Sequence, residues 1–462
     1  MTPTPRSEPG GLTDALASVR TQWRRGQRYV TAKLSWSRLY RALSYARSAL
    51  WIVPFAAIIL VLAVAPAIRS LDAQLGWRVT GLGVEGARTL YQSVITLTLS
   101  FVVFTFGSLL VAIQIASGQL TPRVIATTLL RDTVVKYSVG LFVFSLIFAI
   151  TALNRLEAEA HEFTALVTAC LGIACIVTFL FFIDYTARLL RPVSILARVS
   201  DEGLDVIRAL YPEPAAAGGD EPAAFPDLPD APRRIVPHTG KSQNVLAVDL
   251  ERLMREARRT RGVVEFAPQM GDFVATDEPL FVLYGGATAI DDRTLRAAVA
   301  FGPERTMEQD PLFSFRILVD IALKALSPAI NDPTTAVLAI DQIHRLLRTV
   351  GKHQLRGEAM VDSLGQRRVV FRTPNWEDFV QLACTEIRHC GANNVQVARR
   401  LRAMLDNLVA SLPTYRRQAL ADERRRLDQA IATLFANPDD LALARISDSQ
   451  GLGGSSGMRP LG

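Results

Sequence analysis

Cysteine is scarce in this chain, and none of the four is spaced to do chemistry. Cys170 and Cys175 lie in an apolar run, Cys384 and Cys390 in a helix-like one, and no CxxC or Cys/His ligand spacing occurs. That excludes the common zinc frameworks and a disulfide scaffold, leaving reduced packing residues. His389 beside Cys390 reads as incidental rather than metal-binding. Walker loops, HExxH, GxGxxG and any nucleophile–base pair are absent, so no catalytic residue, cofactor or metal ligand is assigned and no enzyme is expected. No lysine stands between Lys241 and Lys324, where a lipoyl or biotin carrier would need one. The basic excess is modest, 51 Lys plus Arg against 44 Asp plus Glu, and no nucleic-acid partner is expected. No cleavable signal is expected either: the first long apolar run begins near residue 49, too deep and too long for one.

Long apolar runs, by contrast, are plentiful, and hydrophobic residues make up 49% of the 462. A bilayer core needs about 20 apolar residues in helical form. Four stretches qualify: 49–68, roughly 90–115, 134–153 and 163–183, each uncharged in its middle. Lys136, near the start of the third, has a stem long enough to snorkel. Without an intramembrane carboxylate or arginine, a proton relay or voltage sensor has no support.

The loops orient the spans. Arg6, Arg20, Arg24, Arg25, Arg28, Lys33, Arg38, Arg41 and Arg47 precede the first, whereas the third loop holds Glu157, Glu159 and Glu162 against Arg155. Positive charge collects on the cytoplasmic side, so both termini are expected there, with the lipid bilayer of a bacterial inner membrane as first partner. In 20–47, aromatics such as Trp23, Trp36 and Tyr40 among the arginines fit either a basic helix on the inner leaflet or a plain cytoplasmic tail.

The fold class expected is an α-helical integral membrane domain with four spans plus a cytoplasmic α+β region, the latter a small β-module and a mostly helical C-terminal part. The segments follow as a basic N-terminal stretch 1–47, the membrane domain 48–185 and a helical extension 186–210. A linker 211–241 comes next, with seven prolines in 211–238, then the α+β module 242–302, a helical domain 303–435 and a flexible tail 436–462. Within the module, 244–249 reads as a strand and Asp249 as a helix cap, Gly271-Asp272 as a turn, and Asp291-Asp292 as the start of a helix ending near 301–303. Thr373-Pro374 is expected to open a helix to Cys390.

Span two carries Ser93, Thr96, Ser100, Gly107 and Gln114 at steps of three, four and seven, and Ser117 and Gln119 follow from its end. Small hydroxylated residues let membrane helices pack closely; the same pattern suits a face lining a pathway in a homo-oligomer.

Residues 303–342 hold two Asp-Pro pairs. Asp at N-cap with Pro at the first helical position predicts helices over 311–326 and 333–349. Arg305, Glu308, Gln309, Asp310, Asp320, Ser327, Asn331, Asp332 and Thr335 form a candidate polar cluster. A helical hairpin that brought both N-termini together would suit a small anion, and its carboxylates a cation; caps, turn and flank pairs account for the same residues without a ligand.

The stretches Glu308-Gln309-Asp310-Pro311, Leu318-Val319-Asp320-Ile321-Ala322, Ala325-Leu326-Ser327-Pro328 and Ile330-Asn331-Asp332-Pro333 with Thr335-Ala336 resemble the signature of a bacterial predicted-membrane-protein family, domain of unknown function 2254. The QIASGQLTPR end of span two is similar as well, and the resemblance covers most of 40–435. This chain departs at Thr334, where an aromatic is common, and at Phe313-Ser314, where Phe-Gly is. The resemblance implies the architecture above and no activity. Two readings of function remain: an oligomeric channel or transporter with a regulatory cytoplasmic domain, or a membrane-anchored ligand-binding or signalling protein.

Overall fold

The computed structural model describes residues 36, 40, 45–46, 49–75, 81, 83–119, 132–156, 162–189, 191–215, 233–355 and 359–454. The chain divides into two units: Ala46–Glu221, Asp310–Arg356 and Pro374–Gly462 form one, and Met1–Tyr45, Pro222–Gln309 and Gly357–Thr373 the other. Most of the basic segment before span one, the middle of the Pro-rich linker, Pro122 and Arg123, and the last eight residues lie outside the described residues.

The larger unit begins with four helices, α1 (Ile52–Leu75), α2 (Val84–Gln119), α3 (Thr133–Leu153) and α4 (Glu162–Leu189). All four are long and apolar enough to cross a membrane. Continuous helix is what the bilayer demands, because it pairs every backbone group within the segment. Aromatic packing joins α2, α3 and α4: Phe101 stacks on Phe179 with centroids 4.0 Å apart, and Phe142 lies tilted beside Phe101 at 5.6 Å. On the other flank of α3, Phe148 packs with Val61 and Ala65 of α1. Lys136 does not snorkel; it is buried in the bundle. The apolar run marks only the middle of span two, and α2 extends earlier to Val84 with Glu85 and Arg88 in its opening turns. Span four does not run on as one helix: α4 stops at Leu189, and Pro192 starts α5 (Pro192–Leu210) behind an extended Arg191, since a proline disfavours helix in the residue before it.

The smaller unit contains β1 (Arg233–Pro237), β2 (Gln243–Val248), α6 (Leu250–Thr260), β3 (Gly262–Gln269), β4 (Phe273–Val274), β5 (Pro279–Gly285), α7 (Asp292–Arg296) and β6 (Val299–Gly302). Two later strands, β7 (Ala359–Val361) and β8 (Arg367–Arg372), complete it. One sheet runs β1-β5-β3-β8-β7, the other β4-β2-β6. The larger sheet buries Val264, Phe266, Phe281, Leu283 and Val369 in one core with Leu253 and Ala257 of α6. Asp249 caps α6, accepting from Arg252 N at 3.0 Å, and Gly271 makes the turn at a φ of 87°, where a Cβ would be strained. The helix begun by Asp291-Asp292 ends at Arg296 instead of near 301–303. Val299 and Ala300 pair with Val248 and Ala247 as a strand, and ladder pairing overrides the helical pattern. Trp36 and Tyr40, stacked at 5.4 Å, pack against Leu246, Ala247 and Ala300, so protein rather than lipid covers these two aromatics.

The larger unit resumes with α8 (Pro311–Ala325), α9 (Pro333–Val350), α10 (Trp376–Gly391), α11 (Val395–Ser411), α12 (Arg417–Leu434) and α13 (Pro438–Ala444). α10 is opened by Asn375, not by Thr373-Pro374. Asn375 Oδ1 accepts from Asp378 N at 2.8 Å and Asp378 Oδ2 from Asn375 N at 2.9 Å, a reciprocal capping box. Residues 436–454 are not a loose tail. Arg399 is fully buried, donating to Ile446 O at 3.0 Å and Gly453 O at 2.9 Å, while Asp448 accepts from the N–H groups of Gln450, Gly451 and Gly453.

Burial pushes the Asp448 carboxyl up, and the N–H groups of Gly453, Gly451 and Gln450 outweigh it and hold it below the usual range. A depressed folded value means stabilisation that is present above the unfolded-chain pKa of about 3.9 and lost as pH falls through the folded value. The urea midpoint of the full chain should therefore fall on acidification through that window, and Asp448→Asn should flatten the dependence. Arg399→Ala, which leaves the carbonyls it served unpaired, should cost about 2–3 kcal/mol and expose the C-terminal segment to limited proteolysis.

Candidate functional site

The 325–336 stretch is a turn between α8 and α9 whose polar groups are bound into local structure. Ser327 Oγ donates to Lys324 O at 2.7 Å, Asn331 N to Ser327 O at 2.8 Å, and Asp332 N to Ala325 O at 2.8 Å. Asn331 sits at a φ of 48°, the left-handed region that asparagine tolerates better than any β-branched residue. Asp332 Oδ1 accepts from Thr335 N at 3.0 Å and Oδ2 from Thr335 Oγ1 at 2.5 Å, so both its oxygens are engaged with α9. At the other helix, buried Asp310 accepts from Leu312 N at 3.2 Å.

These two N-termini do not converge. Asp310 heads α8, whereas Asp332 abuts its last residue, Ala325, and the helix between them has 15 residues. At 1.5 Å rise per residue they stand about 22 Å apart. Asp320 lies on the flank of α8, accepting from Arg316 Nε at 2.7 Å. The same guanidinium grips Glu386 of α10 in two bonds of 2.7 and 2.9 Å and holds that carboxyl below its ordinary range. Arg305, Glu308 and Gln309 belong to the smaller unit, where Gln309 Oε1 accepts from Val248 N at 3.0 Å and the other two are half-buried. No cluster of His, Cys, Asp and Glu suited to a metal ion occurs among the described residues.

The α2 residues behave differently. Ser93, Thr96, Ser100, Gly107 and Gln114 are all exposed on the outer surface of the bundle, within an arc of about 60° on a 3.6-residue helix. Their hydroxyls bond back to the helix, Ser93 to Thr89 O at 2.8 Å, Thr96 to Gln92 O at 3.0 Å and Ser100 to Thr96 O at 2.8 Å. A Cβ at Gly107 would meet nothing within 4 Å. Thr98 and Thr105 face inward and are buried. Ser117 is half-buried, and the side chain of Gln119, the last residue of α2, lies outside the described residues. Thr98 and Thr105 are thus buried among the spans, while the five residues of the stripe are exposed, Gly107 at the edge of a groove between α2 and α4.

One constellation escaped the sequence. Asp132 accepts from Val134 N and Val135 N at the head of α3, from Tyr185 Oη at 2.5 Å near the end of α4, and from Arg198 Nη1 of α5 at 2.8 Å. Arg198 Nη2 closes the ring on Tyr185 Oη at 3.1 Å. α5 in turn meets the hairpin: a Cβ on Gly203 would lie 2.6 Å from Ser314 Oγ of α8, and Arg345 of α9 pairs with Asp201 at 2.7 Å. The available signal was an Asp immediately before Thr133 and the third span, a helix-cap position; nothing local marked Arg198 as its partner.

If capping is the work of Asp332, Asp332→Ala should cost about 1 kcal/mol in chemical denaturation, and Asp332→Asn, an equally good cap, should restore most of it. Wild-type stability in Asp332→Ala would remove capping as the account of this residue.

Residues 47–407 match the family described as Predicted membrane protein (DUF2254). Uncharacterized proteins of Mycobacterium bovis and Mycobacterium tuberculosis are each 26% identical over 434 residues, covering 90% of this chain and 82% of their own length. An uncharacterized protein from a second Mycobacterium tuberculosis strain is 25% identical over the same length. No solved structure matches the chain. With all four spans and the whole α8–α9 hairpin inside the matched region, the chain belongs to the DUF2254 family of predicted membrane proteins.

Proposed function

We propose that the chain is a homo-oligomeric channel or transporter of the bacterial inner membrane, with α2 lining the pathway. The observation that carries this reading is the outward stripe of Ser93, Thr96, Ser100, Gly107 and Gln114. Acyl chains offer the hydroxyls and the amide of such a face nothing, whereas water or a hydrated ion does. A second copy of the chain supplies the other wall, and a symmetric ring brings the stripes around one axis.

Both termini lie in the cytoplasm in this reading. The nine basic residues ahead of α1 favour that side. The packing of Trp36 and Tyr40, ahead of the spans, on Ala247 and Ala300, beyond them, is consistent with one side for both flanks. The cytoplasmic α+β region then acts as regulator through α5, whose Arg198 holds Asp132 and whose Gly203 meets α8.

Purified protein in liposomes should give an ion or solute flux, and Gln114→Leu should change it. A Ser100→Cys variant should form cross-chain disulfides under oxidation if the stripes face one axis. Flat recordings across many ions, with Ser100→Cys remaining monomeric, would replace the pathway by the membrane-anchored binding protein.

A further inference from the structure

A groove of about 490 Å³ runs between α2 and α4 on the flank of the stripe. Phe104 and Val111 of α2 and Phe182 of α4 make it almost wholly apolar, Gly107 of the stripe borders it, and Thr186 and Ala187 line it toward the end of α4. Ser108 and Thr186 are the hydroxyl-bearing residues of its lining. Ser108 Oγ donates to Thr105 O at 3.0 Å. Thr186 Oγ1 is buried without a hydrogen-bond partner, although a helical threonine can bond back to the carbonyl four residues earlier. Two cations follow in the sequence. Arg188 follows Ala187 and pairs with Asp184 at 2.9 Å, with both side chains more than 60% exposed, an arrangement that contributes little. Arg191 is exposed ahead of α5 and has no ion pair among the described residues.

We infer that this groove binds one anionic phospholipid, with an acyl chain along Phe104, Val111 and Phe182, its ester region at Thr186 and its phosphate at Arg188 and Arg191. The order of the lining argues for a lipid over a helix of another copy. It passes from apolar, through one unpartnered hydroxyl, to cations, in the direction in which both helices leave the membrane. That is the sequence of tail, ester and headgroup in a phospholipid, and basic residues at the membrane surface attract anionic lipid. The inference does not rest on the pathway reading; lipid binding can hold where flux is absent.

The test is native mass spectrometry of the full chain, delipidated and titrated with phosphatidylglycerol or phosphatidylcholine. Wild type should take up one phosphatidylglycerol per chain in a saturable step. Ala187→Phe, which fills the groove from an exposed position, should bind about tenfold more weakly. Thr186→Val, nearly the same in shape, should also weaken binding, and Arg188→Gln with Arg191→Gln should abolish the preference for the anionic headgroup. Should Ala187→Phe fail to fold, the other two variants carry the test. Equal phosphatidylglycerol uptake by all folded variants would overturn the inference. So would a change of oligomeric mass in Ala187→Phe with unaltered lipid count, which would assign the groove to a second copy.

Discussion

The Asp132 carboxylate ties two of the long apolar helices to the helix that follows them. A carboxylate with a 3% exposed side chain is costly unless its lone pairs are met. Here two backbone N–H groups, one phenol and one guanidinium meet them. Because those donors come from α3, α4 and α5, the ends of two apolar helices and the helix that follows them have little freedom to separate. α5 then presents Gly203 to α8, where only a residue without Cβ fits beside Ser314. The hairpin is thereby set against the connector helix, and the connector against the bundle.

The features most legible in the sequence were those dictated by nearest neighbours. Apolar length disclosed the spans, and Asp310-Pro311 and Asp332-Pro333 disclosed the starts of α8 and α9 to the residue, since cap and first-turn chemistry are local. Features that depend on distant partners were not legible. Val369 pairs in parallel with Val264, and no local pattern announces which run supplies the neighbouring strand. The order of residues 436–454 comes from Arg399 and Arg400 on α11, while the segment's own composition suggested a tail. At the candidate cluster, residue types were legible and distances were not. A helix lies between Asp310 and Asp332, and a reading by type alone sees two caps without the span between them.

Two polar patterns in α2 look alike in sequence and separate in space. Thr98 and Thr105 are buried within the bundle, and Ser93, Thr96 and Ser100 stand on the opposite side, all with the same back-bonding chemistry where it is formed. What distinguishes them is the direction each takes around the helix, which the neighbouring spans decide. The same geometry leaves an open groove beside Phe104 and Val111.

The parallel pairing of β3 with β8 has a consequence for biosynthesis. β3 is finished at Gln269, yet its partner begins at Arg367, after the α8–α9 hairpin of the other unit has been made. At about 5–20 residues per second, one edge of β3 waits on the order of 5–20 s for its neighbour. Throughout that interval a run containing Val263, Val264 and Phe266 presents unpaired N–H and C=O groups, the kind of template that recruits strands from other chains. The nascent protein is thus most exposed to misassociation after its spans have been synthesised, at a stage when the ribosome still holds its C-terminal third.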